Sequence, residues 1–287
     1  PDVRRLAAMR IANLDGRLVL CGAGAALATD VERASGGRFG PDPQDAWARW
    51  EEFAEWAAGV DVDAGEPYDE TRLGPPVPRP PQVFGIGLNY RDHAAEAGLK
   101  LPSEPMVFTK FPSSVTGPYA EVELPSDRVD WEVELVAVIG RGGHRIAVED
   151  GWRHVAGLTV GQDLSERRVQ FAGSPPQFSM GKSYPGFAPL GPVVVTPDEL
   201  TDPDRLALGC TLGEETVQDG TTGDMVFGVP ELVSRLSAVV RLLPGDLVFT
   251  GTPAGVGSVR EPRRYLQPGE LLTSWVEGIG TIRTSLV

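Results

Sequence analysis

Along the chain, apolar residues gather in short runs that glycine, proline and aspartate interrupt, a pattern that predicts many brief strands and few helices. Residues 8–22 predict two strands around the turn Asp15-Gly16. Further strands are expected at 83–87, 106–110, 121–124, 155–160, 193–195, 206–212, 247–250 and 271–276. Residues 42–59 predict one helix, with Asp42 as its cap and Pro43 in its first turn. Trp47, Trp50, Phe53, Trp56 and Ala57 then form a single apolar stripe, which reads as core packing. Shorter helices are expected at 89–98, with Asn89 as N-cap and Gly98 as stop, at 165–173 and at 230–242. A turn leads into a short helix near 149–152. Residues 174–191, rich in Gly and Pro, predict a long structured loop.

Residues 129–140 stand apart from this pattern. Val, Leu and Ile dominate and Gly140 closes the run, as in a buried strand. Glu132 and Glu134 interrupt it two positions apart, so the period of a strand points both carboxylates to one face. Like charges among apolar neighbours repel and are costly to desolvate, and a cation is the natural remedy. Carboxylate-only ligation selects a hard ion, Mg²⁺ or Mn²⁺. The alternative is a solvated strand face with two ordinary glutamates.

Residues 74–81 (GPPVPRPP) read as a stiff extended linker. It divides a small α+β unit, residues 1–78, from a mainly β domain, residues 79–287, giving an α+β, mainly β chain. Composition agrees with a soluble globular protein, at 41% hydrophobic and 23% charged residues. A formal net charge of −14 speaks against nucleic acid and anionic membranes as partners. It also means that an anionic substrate must meet a local cluster of Lys, Arg or metal. Cys21 and Cys210 lie among apolar strand residues and are expected to be buried free thiols. No apolar run approaches the ~20 residues of a membrane span, and no signal-peptide pattern is present, so a cytoplasmic location is expected.

Eight segments in order complete the picture: Gly87-Leu-Asn-Tyr-Arg-Asp-His-Ala-Ala-Glu96, Phe108-Thr-Lys-Phe-Pro-Ser-Ser114, Asp130-Trp-Glu-Val-Glu-Leu135, Asp163-Leu-Ser-Glu-Arg167, Gly181-Lys-Ser183, Pro189-Leu-Gly-Pro192, Leu243-Pro-Gly-Asp246 and Thr250-Gly-Thr-Pro-Ala-Gly-Val-Gly257. Together they resemble the fumarylacetoacetate hydrolase family over residues 80–287. The resemblance implies a rolled mixed β-sheet catalytic domain, a homodimer, and a Mg²⁺ or Mn²⁺ site made by Glu132, Glu134 and Asp163. It makes His93 and Glu96 a base dyad, whose three-residue spacing puts both on one helix face. It makes Lys182 the residue that stabilises enolate charge, and places Lys110, Arg167, Gln170 and Thr252 around the substrate. Each has a plainer alternative: a helix cap for Asp163, a surface pair for the dyad, surface cations for Lys110 and Lys182, a helix salt bridge for Arg167, a turn hydroxyl for Thr252. His144 and His154 receive no role. Gln162 before Asp163, Leu212-Gly213 and Gly223 before Asp224 depart from the family pattern and bear on the substrate sub-class.

The expected activity is hydrolysis of a carbon–carbon bond in a small β-diketo acid of the acylpyruvate or fumarylpyruvate type. His93, held by Glu96, would activate water, and the metal with Lys182 would make the pyruvate-like enolate a viable leaving group. A tautomerase, isomerase or decarboxylase of a 2-oxo acid, oxaloacetate among them, would use the same enolate. A non-catalytic binding module is the third possibility, and the intact set of acids, dyad and Lys182 weighs against it.

Overall fold

The computed structural model describes residues 8–23 and 26–287. Among the described residues its main sheet has twelve strands, ten along one path and two, Leu73–Gly74 and Val115–Thr116, pairing off it with Arg10–Leu14 and Ala188–Val195. In space it runs from Glu66–Pro67 through Leu27–Asp30, Arg17–Cys21 and Arg10–Leu14 to Ala188–Val195, Val155–Gln162, Val133–Ile139, Leu247–Phe249, Val83–Gly87 and Met106–Thr109. A second sheet has five strands, in the order Glu215–Thr221, Ala207–Leu212, Leu271–Val276, Gly280–Leu286 and Glu121–Val122. Parallel and antiparallel pairs are mixed, and helices are short, so the mainly β, mixed-sheet fold expected from the sequence is the one found. Arg10 pairs with Val195 and Ile11 with Val194, so strands on either side of the proline segment share the main sheet. Among the described residues no helix is long and apolar enough to cross a membrane.

The strand Val133–Ile139 lies at the centre and is buried along its whole length. Leu135, Ala137 and Ile139 face one core, shared with Leu208, Cys210 and Ile282 of the second sheet. Val136 and Val138 face the other core, with Trp47, Trp50 and Phe53. A strand covered on both faces reads as a continuous apolar run, which is why no alternation marks it in the sequence. At the hairpin, Asp15 and Gly16 both take left-handed backbone, φ 52° and 80°, as a two-residue turn requires. The proline segment packs rather than dangles: Val77 is fully buried and the Pro76 carbonyl accepts from Trp47 Nε1 at 3.1 Å. Cys21 and Cys210 are buried free thiols, as expected.

Four local expectations are corrected. Residues 129–140 are not one strand: Val129–Asp130 pairs with Ser165–Glu166, and the central strand starts only at Val133. Side chains take the amides that a ladder would have used, Asp130 that of Trp131, Gln162 that of Glu132 and Gln218 that of Val133. The 42–59 helix is two, Gln44–Ala48 and Trp50–Ala57, broken at Arg49 (φ −128°, ψ 40°), whose guanidinium binds the Arg38 carbonyl and lies over Phe39. Asn89 does not cap the helix Arg91–Glu96; its amide instead bonds Phe227 and Thr250. The 165–173 segment is helical only over Arg167–Gln170.

The turn entering Leu247–Phe249 carries a charge that the fold tolerates poorly. Asp246 is buried, and burial pushes its carboxyl up to about 6 although Leu243 N and Gln82 donate to it. A raised carboxyl resists ionisation in the folded state, so its stabilising contribution is full at low pH and is lost between the ordinary carboxylate range and pH 6. Asp246→Asn should therefore gain stability over the parent as pH rises from 4 to 7, on the order of 1–2 kcal/mol at the upper end. Thermal melts across that range would show a constant gap instead if Asp246 were as acidic as a surface aspartate.

Candidate active site

Antiparallel pairing of the central strand with Val155–Gln162 sets Glu134 opposite Gly161 and Val133 opposite Gln162. Asp163, one residue past that strand, thus arrives beside Glu132, and its amide donates to the Glu132 carbonyl at 2.9 Å. Glu132, Glu134 and Asp163 are buried, and each offers an oxygen within 4.8 Å of the others. Burial raises the Glu134 carboxyl well above the usual range, and the charges of Asp163 and Glu132 raise it further. Burial also works against Glu132, but Lys182 and Arg167 outweigh it and hold its pKa at about 2.

The cations are as buried as the acids. Lys182 Nζ donates to Glu132 Oε2 at 2.8 Å, Asp163 Oδ2 at 2.5 Å and Ser165 Oγ at 2.9 Å. Burial opposes its charge, yet Asp163 and Glu132 raise its pKa. Gly181 lets the Lys182 loop close in: a Cβ there would lie 2.6 Å from the Gln170 nitrogen, and the Gly181 carbonyl accepts from Glu166 N. Arg167 binds Asp130 through Nε and Nη2 at 2.8 and 2.6 Å, and Nη1 reaches Glu132 Oε1 at 2.7 Å and Gln170 Oε1 at 2.9 Å. Lys110, wholly buried, donates to Asp163 Oδ1 at 2.6 Å and to the Lys182 carbonyl. Burial lowers its pKa, and Asp163 only partly offsets that.

His93 and Glu96 lie on the helix Arg91–Glu96, with Nδ1 of the imidazole 2.6 Å from Glu96 Oε1. Their side chains keep 15 and 23% exposure, against 9% or less for the acids and cations beneath. The dyad therefore stands at the mouth of the site. One loop joins the two parts. After Leu247–Phe249, Gly251 N donates to Glu134, Ala254 N to Asp92, Gly255 N to Glu96, and Gly257 and Ser258 N to Asp130. Gly251 has φ 101°, and a Cβ would lie 2.7 Å from Asn89 Cβ, so glycine is required to bring that amide onto Glu134.

All ten residues singled out in the sequence lie in or against this assembly. Lys110 and Thr252, expected to meet substrate, have polar atoms committed within the protein; Thr252 Oγ1 donates to the Val133 carbonyl and accepts from Gln218. Asp130, Gln218 and Tyr90 were not singled out for roles. Asp130 had a signal, an acid two positions before Glu132 in an apolar run. Gln218, in an ordinary polar stretch, had none. Tyr90 is fully buried, its hydroxyl has no hydrogen-bond partner among the described residues, and of the charges acting on it Glu134 has the largest effect.

The donor set fits a hard divalent ion. Three buried carboxylates converge, burial and the charges of its two neighbours push one of them toward neutrality, and the unpartnered Tyr90 hydroxyl feels that same carboxylate's charge. Residues 82–287 match the family model described as fumarylacetoacetate (FAA) hydrolase C-terminal. The chain is 43% identical to oxaloacetate tautomerase FAHD2A, mitochondrial, of Homo sapiens, over 77% of this chain and 71% of that one. A Mycobacterium smegmatis structure described as an HpcE protein is 51% identical with a TM-score of 0.91, covering 97% of this chain and 99% of that one. Fumarylpyruvate hydrolase from Pseudomonas aeruginosa, solved with Mn²⁺ and pyruvate, is 32% identical with a TM-score of 0.65, covering 72% of this chain and 89% of that one.

Proposed function

The chain belongs to the fumarylacetoacetate hydrolase family, and from that premise we propose that it is a divalent-metal-dependent tautomerase interconverting the enol and keto forms of a small 2-oxo dicarboxylic acid of the oxaloacetate class. The observation that carries the reading is a His93–Glu96 dyad at the mouth of a buried carboxylate cluster, tied to it by a single loop. The 43% identity to an oxaloacetate tautomerase supports this reaction over the others that an enolate allows.

Charge favours an anionic substrate once an ion is bound. Four acids, Asp130, Glu132, Glu134 and Asp163, face three cations, Lys110, Arg167 and Lys182. With all seven groups charged, a divalent ion turns a deficit of one positive charge into an excess of one. Held by Glu132, Glu134 and Asp163, the ion would supply positive charge where an enolate oxygen develops. Lys182 adds a second positive charge at the same edge. Gln170, whose Oε1 is taken by Arg167, keeps its amide N–H groups for a substrate carboxylate. Glu96 occupies Nδ1 of His93, which leaves Nε2 to take the enol proton and return it at the neighbouring carbon. Lys110 and Thr252 act by holding Asp163 and the start of the central strand in place.

Hydrolysis of an acylpyruvate is the second reading. The same dyad can deprotonate water, and the fumarylpyruvate hydrolase relative was solved with pyruvate. Ultraviolet decay of enol-oxaloacetate, with Mg²⁺ or Mn²⁺ and with product analysis, tests both. Tautomerisation conserves mass; an acylpyruvate yielding a free acid and pyruvate, with no acceleration of enol decay, would put hydrolysis first. Release of carbon dioxide as fast as enol decay would point to a decarboxylase.

A further inference from the structure

The dyad and the carboxylate cluster come from different parts of the chain, and one buried side chain spans the join. Gln218 lies on Glu215–Thr221 of the second sheet and is 2% exposed. Pairing with Ala207–Leu212 skips a residue there: Cys210 faces Gln218 while Thr211 faces Thr216, so Val217 is extra. Such a bulge re-aims the side chain that follows it, and Val217 and Gln218 are accordingly both buried. The turned side chain uses every hydrogen-bonding position. Oε1 accepts from Val133 N at 2.9 Å and from Cys210 Sγ at 3.3 Å; Nε2 donates to Thr252 Oγ1 and to the Pro253 carbonyl, both at 2.8 Å.

Those partners are what matters. Val133 sits between Glu132 and Glu134, and Thr252 and Pro253 sit in the loop whose amides hold Glu134 on one side and Asp92 and Glu96 on the other. The bulged strand presses onto this loop: a Cβ at Gly255 would lie 2.2 Å from the Val217 carbonyl, and one at Gly220 would lie 2.6 Å from Pro253 Cβ. We propose that Gln218 is a positioning residue that sets the separation between the His93–Glu96 dyad and the carboxylate cluster. The inference rests on the reading of those two groups as one active site. It assigns Gln218 no contact with substrate.

Gln218→Met and Gln218→Asn test it, in the full chain with Mg²⁺. Methionine keeps the length and loses the hydrogen bonds. Asparagine keeps the amide but is one methylene too short to reach both strand and loop, so simple satisfaction of buried polar groups would favour it. Both should lower kcat by roughly 10–100-fold, the size of effect that loss of a supporting hydrogen bond has at a metal site. Both should change KM and Mg²⁺ affinity less than kcat, because Gln218 touches no carboxylate of the cluster directly. The chain has three histidines, so ¹⁵N-labelled imidazole spectra resolve the dyad directly. His93 should shift in either variant while His144 and His154 stay in place. Unchanged His93 signals, or a loss of Mg²⁺ affinity equal to the loss of kcat, would overturn the proposal. So would full rescue by asparagine. The spectra need no substrate, so an absence of tautomerase activity in the parent would sink the functional reading and leave this inference decided by His93.

Discussion

Glu134→Gln is expected to stabilise the metal-free protein and to abolish its response to divalent ions. Glu134 is almost wholly buried, and desolvation, Asp163 and Glu132 all oppose its charge. Glutamine has nearly the same shape, can still accept from Gly251 N, and removes the repulsion. The melting temperature without metal should rise, by about 2–4 °C for each kcal/mol relieved at this chain length. In the parent, Mg²⁺ or Mn²⁺ should raise it through binding to the native state alone. In the variant that rise should vanish, because losing a ligand costs more than the roughly 10–100-fold in affinity that losing a supporting contact costs. Differential scanning fluorimetry with and without metal reads both effects. A variant that is less stable without metal, yet binds it normally, would mean that Glu134 is a structural acid.

His93→Ala separates proton transfer from metal binding. Its imidazole touches Glu96 and stands outside the trio of carboxylates. Loss of a positioned general base costs roughly 10²–10⁴-fold, so enol-oxaloacetate tautomerisation should fall by about that factor. Mg²⁺ affinity by calorimetry should stay nearly unchanged. Metal-dependent decarboxylation of oxaloacetate, which needs the enolate but no base, should fall much less. Glu96→Gln should fall between parent and alanine variant, since the imidazole remains but loses its charged partner. Equal losses of tautomerisation and decarboxylation in His93→Ala would mean that His93 is not a base dedicated to tautomerisation and would favour the decarboxylase reading; an unchanged tautomerisation rate would remove the dyad from the proton path.

How much of this was legible beforehand depended on whether a signal is local. The Asp15-Gly16 hairpin was, because both positions need left-handed backbone and the residues say so. The aromatic stripe was legible as core, and Trp47 and Trp50 indeed stack at 5.7 Å, although the break at Arg49 between them was not. The family resemblance rested on motif residues; those given a site role met in space, whereas Asp246 lies at the other end of the central strand, its carbonyl accepting from Ile139 N. The central strand was legible as buried, because cover on both faces leaves an apolar run that within the strand only Glu134 interrupts.

The sequence by itself determined the chemistry available: three carboxylates suited to a hard ion, a histidine with an acid three residues on, and a lysine after a glycine. Only the tertiary structure decided how these groups are held. The period-two reading placed Glu132 and Glu134 on one strand, yet Glu132 lies before the strand begins, because Gln162 and Gln218 take amides that a ladder would have claimed. The loop from Gly251 to Ser258 binds four acids drawn from two distant segments, and no spacing encodes that. Gln218 reaches the site through a bulge from the other sheet. Side-chain periodicity follows from the geometry of a single element. Hydrogen bonds that replace a ladder, or that join two sheets, depend on where the chain returns after many residues, and that is settled only when the cores close.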